Sequence, residues 1–497
     1  MSCRAYPLPI AAPKASPFMP VRIASYRTLA LIVASALFME NLDTTIIATA
    51  LPQIAREIGA APLQVNLAIT SYLLSLSIFI PLSGWVADRF GAQRVFSLAI
   101  AIFMAGSIAC AASDSLTALV LARILQGFGG AMMVPVGRLV ILRAVPKGEL
   151  IKAMTYLTIP GLLGPVLGPP IGGFIVTYSS WRWIFLLNIP VAILGIILSL
   201  LYVPHIKAPK VPKLDWVGFV LTGLGLASLV FVFEAMGRFS LPLWILGSMA
   251  GFGALCLVTY WSRARRTEDP IVNLKLMRIS TFRRAIVGGS VFRIGIGALP
   301  VLLPLMLQLG FGLSAFASGL LTFSSAAGAL VMKGATQSVL RAFGFRRVLI
   351  INALFCGVVM MGYALFTPAV PHSIIFLALL AGGFIRSLQF TGLNALSYAD
   401  IGEGAMSSAS TFSAMMQQLS LSIGAGTAAL SLHITMNARD GLSLIASDFQ
   451  PAYLVIGGIV MASSLFFLGL ARDAGANVSG NVRQVAAAAE IKETRAR

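Results

Sequence analysis

Two carboxylates lie within the first long apolar segment of this 497-residue chain. Glu40 and Asp43 are three residues apart, so a helix places both side chains on one face. An ionised carboxylate inside a bilayer costs at least ~2.5 kcal/mol, so it normally faces a cavity or a partner. A carboxylate that alternates between a dry environment and one beside an arginine can take up and release a proton. The pair predicts proton coupling or cation binding; the alternative is a structural carboxylate that fixes helix packing.

Arg123, in the fourth apolar segment, is the natural counter-charge for these carboxylates. Asp43 and Arg123 each lie about seven residues from the same predicted membrane face, which places them at similar depth. We therefore expect Arg123 to pair with Asp43 or Glu40, with Gln126 on the adjacent turn. The alternative is that Arg123 donates to backbone carbonyls and holds neighbouring helices together.

The second part of the chain has its own polar residues inside apolar segments. Arg293 and Lys333 lie in the thirds of their segments nearer the cytoplasmic side, so their charged groups are expected to reach the membrane surface by snorkelling. Arg386 lies near the middle of its segment, and Gln389 and Asn394 follow it. These last three are expected to contribute to one polar lining.

A short loop after the second apolar segment combines glycines with charges: Gly84, Asp88, Arg89, Gly91 and Arg94. Asp88 can accept hydrogen bonds from an arginine of a neighbouring helix or cap the next helix. Gly91 allows a tight reversal of the chain. This loop is predicted to be a latch that opens and closes; an ordinary short loop whose charges set topology is the alternative.

The fifth apolar segment contains a run of small residues and prolines over 164–173. Proline cannot donate a backbone hydrogen bond, so such a run survives in lipid only where neighbouring helices or a cavity cover it. Small residues at every fourth position let another helix approach closely. The run predicts a helix that bends and packs tightly, and its key members are Gly164, Gly168, Pro169, Gly172 and Gly173.

Composition places these segments in lipid. The chain is 58% hydrophobic and 11% charged, with a mean hydropathy of +0.90, whereas soluble domains carry about 25% charged residues. Four scattered cysteines and three histidines indicate neither a disulfide framework nor a metal site. No phosphate-binding loop is present, so neither enzymatic activity nor a cofactor is expected.

Apolar stretches of about 20 residues are long enough to cross a bilayer as helices. They predict an all-α integral membrane protein of fourteen transmembrane helices. The predicted spans are 27–50, 65–86, 94–113, 116–142, 152–177, 182–204, 214–236, 241–262, 285–309, 314–340, 346–367, 371–396, 405–432 and 451–471.

The loop charges predict the orientation. Most of the 36 Lys and Arg residues fall on the side that holds both termini, which is typical of the cytoplasmic side. This asymmetry accounts for the net charge of +19 without a nucleic-acid partner. Basic residues within the spans are Arg123, Arg138, Arg293, Lys333 and Arg386.

Two sequence fragments recur eight spans apart. Residues 90–94 resemble 343–347, and 123–126 resemble 386–389, in the same order. Repeated halves around a central site are typical of secondary transporters. We predict two six-helix pseudo-repeat halves plus two inserted helices. The domains are a cytoplasmic tail over 1–26, a first half over 27–204, two linker helices over 205–284, a second half over 285–471 and a cytoplasmic tail over 472–497.

These motifs, in this order, resemble the major facilitator superfamily and, within it, the fourteen-helix drug:proton antiporters. The loop after span two is similar to the superfamily motif at Gly84, Asp88, Arg89 and Gly91. It departs from the motif at 92–93, where basic residues are usual. Other similar stretches are 42–46 with 50–52, Arg123 with 126–127, 164–173 along its whole length, 181–185, 188–190 and 215–218.

The resemblance implies a multi-pass transporter of the cell inner membrane. It would export an amphiphilic compound or drug in exchange for protons by alternating access, with Arg123 and Gln126 in the motif linked to proton transfer and 164–173 in the motif for export by antiport. The implied partners are a small-molecule substrate, protons and the lipid bilayer; a periplasmic adaptor protein is left open.

Three alternatives remain open from the sequence. The first is a dedicated exporter of a metabolite such as an organic acid or siderophore, because Arg123, Arg293 and Arg386 suit an anion. The second is a proton-coupled importer. The third is a membrane protein that transports nothing, such as a sensor or scaffold, which would not need buried charges at matched depth.

Overall fold

The computed structural model describes residues 25–479 except 61, 206, 208–210, 237–240 and 440–443. The described residues form helices and short loops, and no strand occurs among them. The helices are α1 (Tyr26–Glu57), α2 (Pro62–Phe79), α3 (Ser83–Phe90), α4 (Ala92–Ala111), α5 (Leu116–Ala144), α6 (Leu150–Tyr178), α7 (Trp183–Leu186), α8 (Asn188–Tyr202), α9 (Trp216–Met236), α10 (Leu243–Ala264), α11 (Ser280–Leu305), α12 (Ala315–Phe343), α13 (Phe345–Gly362), α14 (His372–Leu396), α15 (Met406–Ala438), α16 (Phe449–Phe467) and α17 (Ala476–Ser479).

The predicted apolar segments all fall on helix. Within the described part of the chain, 12 helical segments are long and apolar enough to cross a membrane. They confirm an all-helical, multi-pass membrane protein. Two further long helices, α6 and α12, each have 29 residues but do not belong to that set.

The loops of the bundle alternate between two faces. One face carries the loops 145–149, 203–215 and 265–279, which contain Lys and Arg, and also the loop 397–405, which contains neither. We call it the basic side and the other face the opposite side. The predicted tails 1–26 and 472–497 lie outside the described residues, apart from 25–26 and 472–479.

Helix contacts group the chain into two bundles with a helix pair between them. In the first half, α1 packs against α6, and α4 packs against α5. In the second half, α11 packs against α15, and α12 packs against α14. The pair α9 and α10 belongs to neither bundle alone, because α9 contacts both α2 and α15. The inserted helices therefore cover the seam between the halves.

The small residues of α6 allow its close packing against α1. A Cβ atom at Gly164, Gly168 or Gly172 would overlap atoms of α1, including Thr45 at the second of these positions. At Gly173 an added Cβ meets nothing within 4 Å. The side chain of Pro169 lies outside the described part of the chain. The helix itself runs without interruption through the glycine and proline residues.

This packing predicts different effects of one substitution at two neighbouring glycines. Gly168→Val forces α6 away from Thr45 and should destabilise the protein by about 1–3 kcal/mol, as overpacked sites do. Gly173→Val is the matched control and should change stability by less than about 0.5 kcal/mol. Thermal unfolding of the purified variants measures both; equal loss in the two variants would contradict the packing account.

Candidate functional site

Asp43 is the centre of a buried hydrogen-bond network in the first half. Its side chain is 1% exposed. One carboxylate oxygen accepts from Arg123 Nη1 at 2.5 Å. The other accepts from Gln126 Nε2 at 2.8 Å and from Asn188 Nδ2 at 3.1 Å. The structure thus brings together three predicted site residues, Asp43, Arg123 and Gln126.

Arg123 is held from several directions. It lies about two turns into α5, whose first turn is capped by the Ser115 hydroxyl. Its Nε donates to the Ala68 carbonyl of α2 at 3.1 Å, and its guanidinium carbon lies 4.3 Å from the centre of the Tyr72 ring. Both partners considered from the sequence, a carboxylate and a backbone carbonyl, are therefore present at once. Such extra bonds offset the high cost of removing an ion pair from water.

The network also contains Asn188 and Ser107, which the sequence did not indicate as site residues. Asn188 opens α8, and Ser107 lies on α4. The Ser107 hydroxyl accepts from Gln126 at 2.8 Å and from Asn188 at 3.3 Å. Asn188 could have been noticed, because it is an amide at the head of an otherwise apolar segment. Ser107 gives no such signal, since serine is common in membrane helices.

Glu40 does not join this network, although it shares a face of α1 with Asp43. Three residues of helix rotate a side chain by about 300°, which leaves the two carboxylates roughly 60° apart. The buried Oε2 of Glu40 has no hydrogen-bond partner among the described residues. The charges of Asp43 and Arg138 act on it. Glu40 is therefore a buried carboxylate outside the Asp43 network.

The predicted polar lining of the second half is not formed as one cluster. Arg386 donates to Ser325 of α12 at 2.7 Å, Gln389 donates to the Leu349 carbonyl of α13 at 3.1 Å, and Asn394 faces α11. Their positions spread over about 140° of the helix circumference, so they meet three different neighbours.

Arg293 and Lys333 were expected to reach the membrane surface, and that prediction is wrong. Arg293 is 1% exposed and donates to Asn394 Oδ1 at 2.9 Å. Lys333 is 5% exposed and donates to the Thr391 hydroxyl at 2.5 Å. Polar side chains of α14 hold both cations inside the bundle, because this helix packs against α11 and α12.

The predicted latch loop joins the two halves on the basic side. Asp88 accepts from Arg143 Nη2 at 2.5 Å and from the hydroxyl of Ser407 in the second half. Gly84 lies directly against the Ser407 backbone. Gly91 adopts φ 94°, which glycine tolerates best. The neighbouring Arg89 and Arg94 side chains are exposed.

The described hydrogen bonds between the halves all lie in the basic half of the bundle. Hydroxyls of α15 contact α3 and α5, and Lys147 donates to the Ala399 carbonyl at 3.0 Å. The conformation is therefore closed on the basic side. The pairs are Ser83 with Thr411, Asp88 with Ser407, Pro135 with Ser410, Arg138 with Gln417, and Lys147 with Ala399 and Ile401.

Known proteins resemble this chain in sequence and in structure. Residues 33–425 match the family model of the Major Facilitator Superfamily. The chain is 36% identical over 457 residues to the putative multidrug resistance protein MdtD of Salmonella paratyphi A and of Salmonella typhimurium. In each case the match covers 90% of this chain and 95% of the relative.

Two solved structures share the fold. The human organic anion transporter MFSD10 (TETRAN) superposes with a TM-score of 0.63 at 15% identity, covering 89% of this chain and 100% of that one. The proton:xylose symporter XylE, bound to 6-bromo-6-deoxy-D-glucose, gives 0.60 at 16% identity, covering 89% and 94%.

The Asp43 network predicts a non-additive effect on stability. Arg123→Gln leaves a buried carboxylate without its cation and should cost about 3–5 kcal/mol, whereas adding Asp43→Asn should restore part of that loss. Arg182→Gln, which breaks exposed or partly exposed ion pairs with Glu57 and Asp114, is the control and should cost less than about 1 kcal/mol. Unfolding of the purified protein in mixed micelles measures these values. A double variant no more stable than Arg123→Gln alone would contradict the assignment.

Proposed function

The chain belongs to the major facilitator superfamily, and we propose that it is a proton-coupled exporter of an amphiphilic compound that works by alternating access. The family of membrane transporters and the multidrug-resistance relatives support export of a small molecule. The more specific claim is that export occurs in exchange for protons, and the contacts of Asp43 support this claim.

The supporting observation is that one buried carboxylate joins several helices. Asp43 of α1 accepts hydrogen bonds from Arg123 and Gln126 of α5 and from Asn188 of α8. A proton on Asp43 removes the charge that holds the Arg123 guanidinium and turns one acceptor oxygen into a donor. The bonds between α1, α5 and α8 then weaken together. Proton uptake at this residue would therefore loosen the packing of the first half.

Alternating access requires the contacts on the basic side to open. Asp88 is bound both to Arg143 in its own half and to Ser407 in the other. Separating the halves breaks the second bond and leaves the first, so the loop can re-form the same contact on closure. This supports the latch predicted from the sequence.

The proposed topology has fourteen spans, with α6 and α12 crossing the membrane as well. A helix of 29 residues is about 43 Å long, which exceeds the bilayer core. Excess Lys and Arg in the loops favours a cytoplasmic location for the basic side and for both termini. The conformation described above would then be closed to the cytoplasm of a cell whose inner membrane holds the protein.

We expect Asp43→Asn to abolish coupled proton movement because an amide cannot take up the proton. The measurement is proton flux in everted vesicles with an acidic lumen, after addition of tetraphenylphosphonium and then of carboxyfluorescein. The unsubstituted protein should make the lumen more alkaline with at least one compound, and Asp43→Asn should give only background flux.

The control is Asp114→Asn, the same change at a carboxylate whose side chain is 88% exposed. It should leave the flux unchanged, and membrane levels of both variants must match. Continued alkalinisation by Asp43→Asn would show that another group carries the proton.

The latch predicts a shift in conformational equilibrium. Asp88→Asn keeps the shape of the side chain but removes the charge that Arg143 and Ser407 bind. The closed form of the basic side should lose about tenfold in population, and transport should fall. Arg89→Gln in the same loop is the control, because that arginine is exposed.

Labelling of a cysteine placed at Ser410, where α15 meets α5, reports this opening from the basic side. Faster labelling is expected with Asp88→Asn and an unchanged rate with Arg89→Gln. Equal rates in the two variants would remove the latch from the mechanism.

A further inference from the structure

Two buried arginines, one from each half, lie close to the seam between the halves. Arg138 of α5 is 4% exposed and Arg293 of α11 is 1% exposed. Arg138 Nη2 has one long hydrogen bond, 3.5 Å to Gln417 Oε1, and its Nη1 has no partner. Arg293 Nη2 is bound to Asn394, while its Nε has no partner. Among the described residues, no acidic side chain lies within ion-pair distance of either.

The helix packing brings these guanidinium groups towards each other. Helix α15, which Arg138 contacts through Gln417, runs alongside α11 in the same direction. Phe282 of α11 lies beside Phe412, and Gly297 lies against Leu421. Arg293 is between these two contacts, so it lies within about a turn of the level of Gln417. Both guanidinium groups therefore lie at a similar level of the bundle.

The surrounding charges do not compensate for this pair. Asp43 is already bound to Arg123. Lys333 and Arg386 have hydroxyl partners rather than carboxylates. Glu40 is the acid whose charge acts on Arg138. Buried charges normally have a counter-charge, so this region between the halves carries surplus positive charge.

We propose that Arg138 and Arg293 together bind the anionic group, a carboxylate, of the transported compound. The planar guanidinium binds carboxylates through two parallel hydrogen bonds, and two such groups from opposite halves would hold the anion at the seam. The Phe390 ring, 5.3 Å from the Arg293 guanidinium carbon, offers apolar contact for the rest of an amphiphilic molecule. This inference rests on the proposed export function and specifies its substrate class.

A substitution at Glu40 should change anion binding in the opposite direction to substitutions of the two arginines. An ionised Glu40, whose Oε2 has no hydrogen-bond partner among the described residues, would compete with a substrate anion for Arg138. Glu40→Gln removes that competitor and should tighten anion binding severalfold. A purely structural role for the arginines predicts no such gain.

The test measures binding of carboxyfluorescein to the purified full chain in lipid nanodiscs by fluorescence anisotropy. Rhodamine 123 is the matched probe, because it has the same ring system but a positive charge. The unsubstituted protein should bind carboxyfluorescein more tightly, and Arg138→Gln and Arg293→Gln should each weaken it at least about tenfold. Lys333→Gln, at a buried cation that donates to the Thr391 hydroxyl, should change carboxyfluorescein binding less than about twofold.

Charge-retaining variants separate lost binding from lost folding. Arg138→Lys and Arg293→Lys should retain more affinity than the glutamine variants, because the positive charge remains. The inference is overturned if the unsubstituted protein does not bind carboxyfluorescein, if the glutamine variants bind it normally, or if Glu40→Gln weakens binding. No proton gradient enters this assay. Absent dye binding together with Asp43-dependent proton flux would reject the anion site and leave the proposed exchange function intact.

Discussion

The free-energy cost of burying charged side chains in a membrane is the main constraint on this structure. A carboxylate or guanidinium without partners is costly to bury at bilayer depth, and Asp43 and Arg123 each have several partners. Meeting that requirement fixes how α1, α2, α4, α5 and α8 lie against one another. The glycine face of α6 completes the arrangement by letting this helix approach α1 closely. In the proposed mechanism, the packing of the first half depends on whether Asp43, the ionisable group around which it is organised, carries a proton.

The two halves differ in the partners of their charged side chains. The fragment around Arg123 and Gln126 recurs around Arg386 and Gln389, yet Arg386 binds a serine hydroxyl where Arg123 binds a carboxylate. In the first half, the Asp43 pair is electrically balanced. In the second half, the buried Arg293 donates to an amide and the buried Lys333 to a hydroxyl. This asymmetry supports the proposal that the first half binds the proton. The substrate would bind at the seam, which has surplus positive charge.

Sequence alone predicts the helices well, because about twenty apolar residues have few other stable arrangements. It also predicts that Arg123 pairs with Asp43 or Glu40, since so few charges lie at that depth, and the structure shows the pair with Asp43. It fails where the outcome depends on which helices are neighbours. Arg293 and Lys333 are buried because α14 supplies their partners, and the role of Arg138 appears only once α15 is placed beside α5. The sequence does not indicate Ser107 as a site residue either, because its role depends on which helices pack against α4.

In the proposed exchange, Asp43 is the residue that takes up the proton. Infrared difference spectroscopy of the purified chain in lipid, between acidic and alkaline pH, detects the C=O stretch of a protonated carboxyl group directly. The account predicts a pH-dependent carboxyl band that disappears in Asp43→Asn and persists in Asp114→Asn. An unchanged band in Asp43→Asn would contradict it, because the proton would then reside on a different carboxylate.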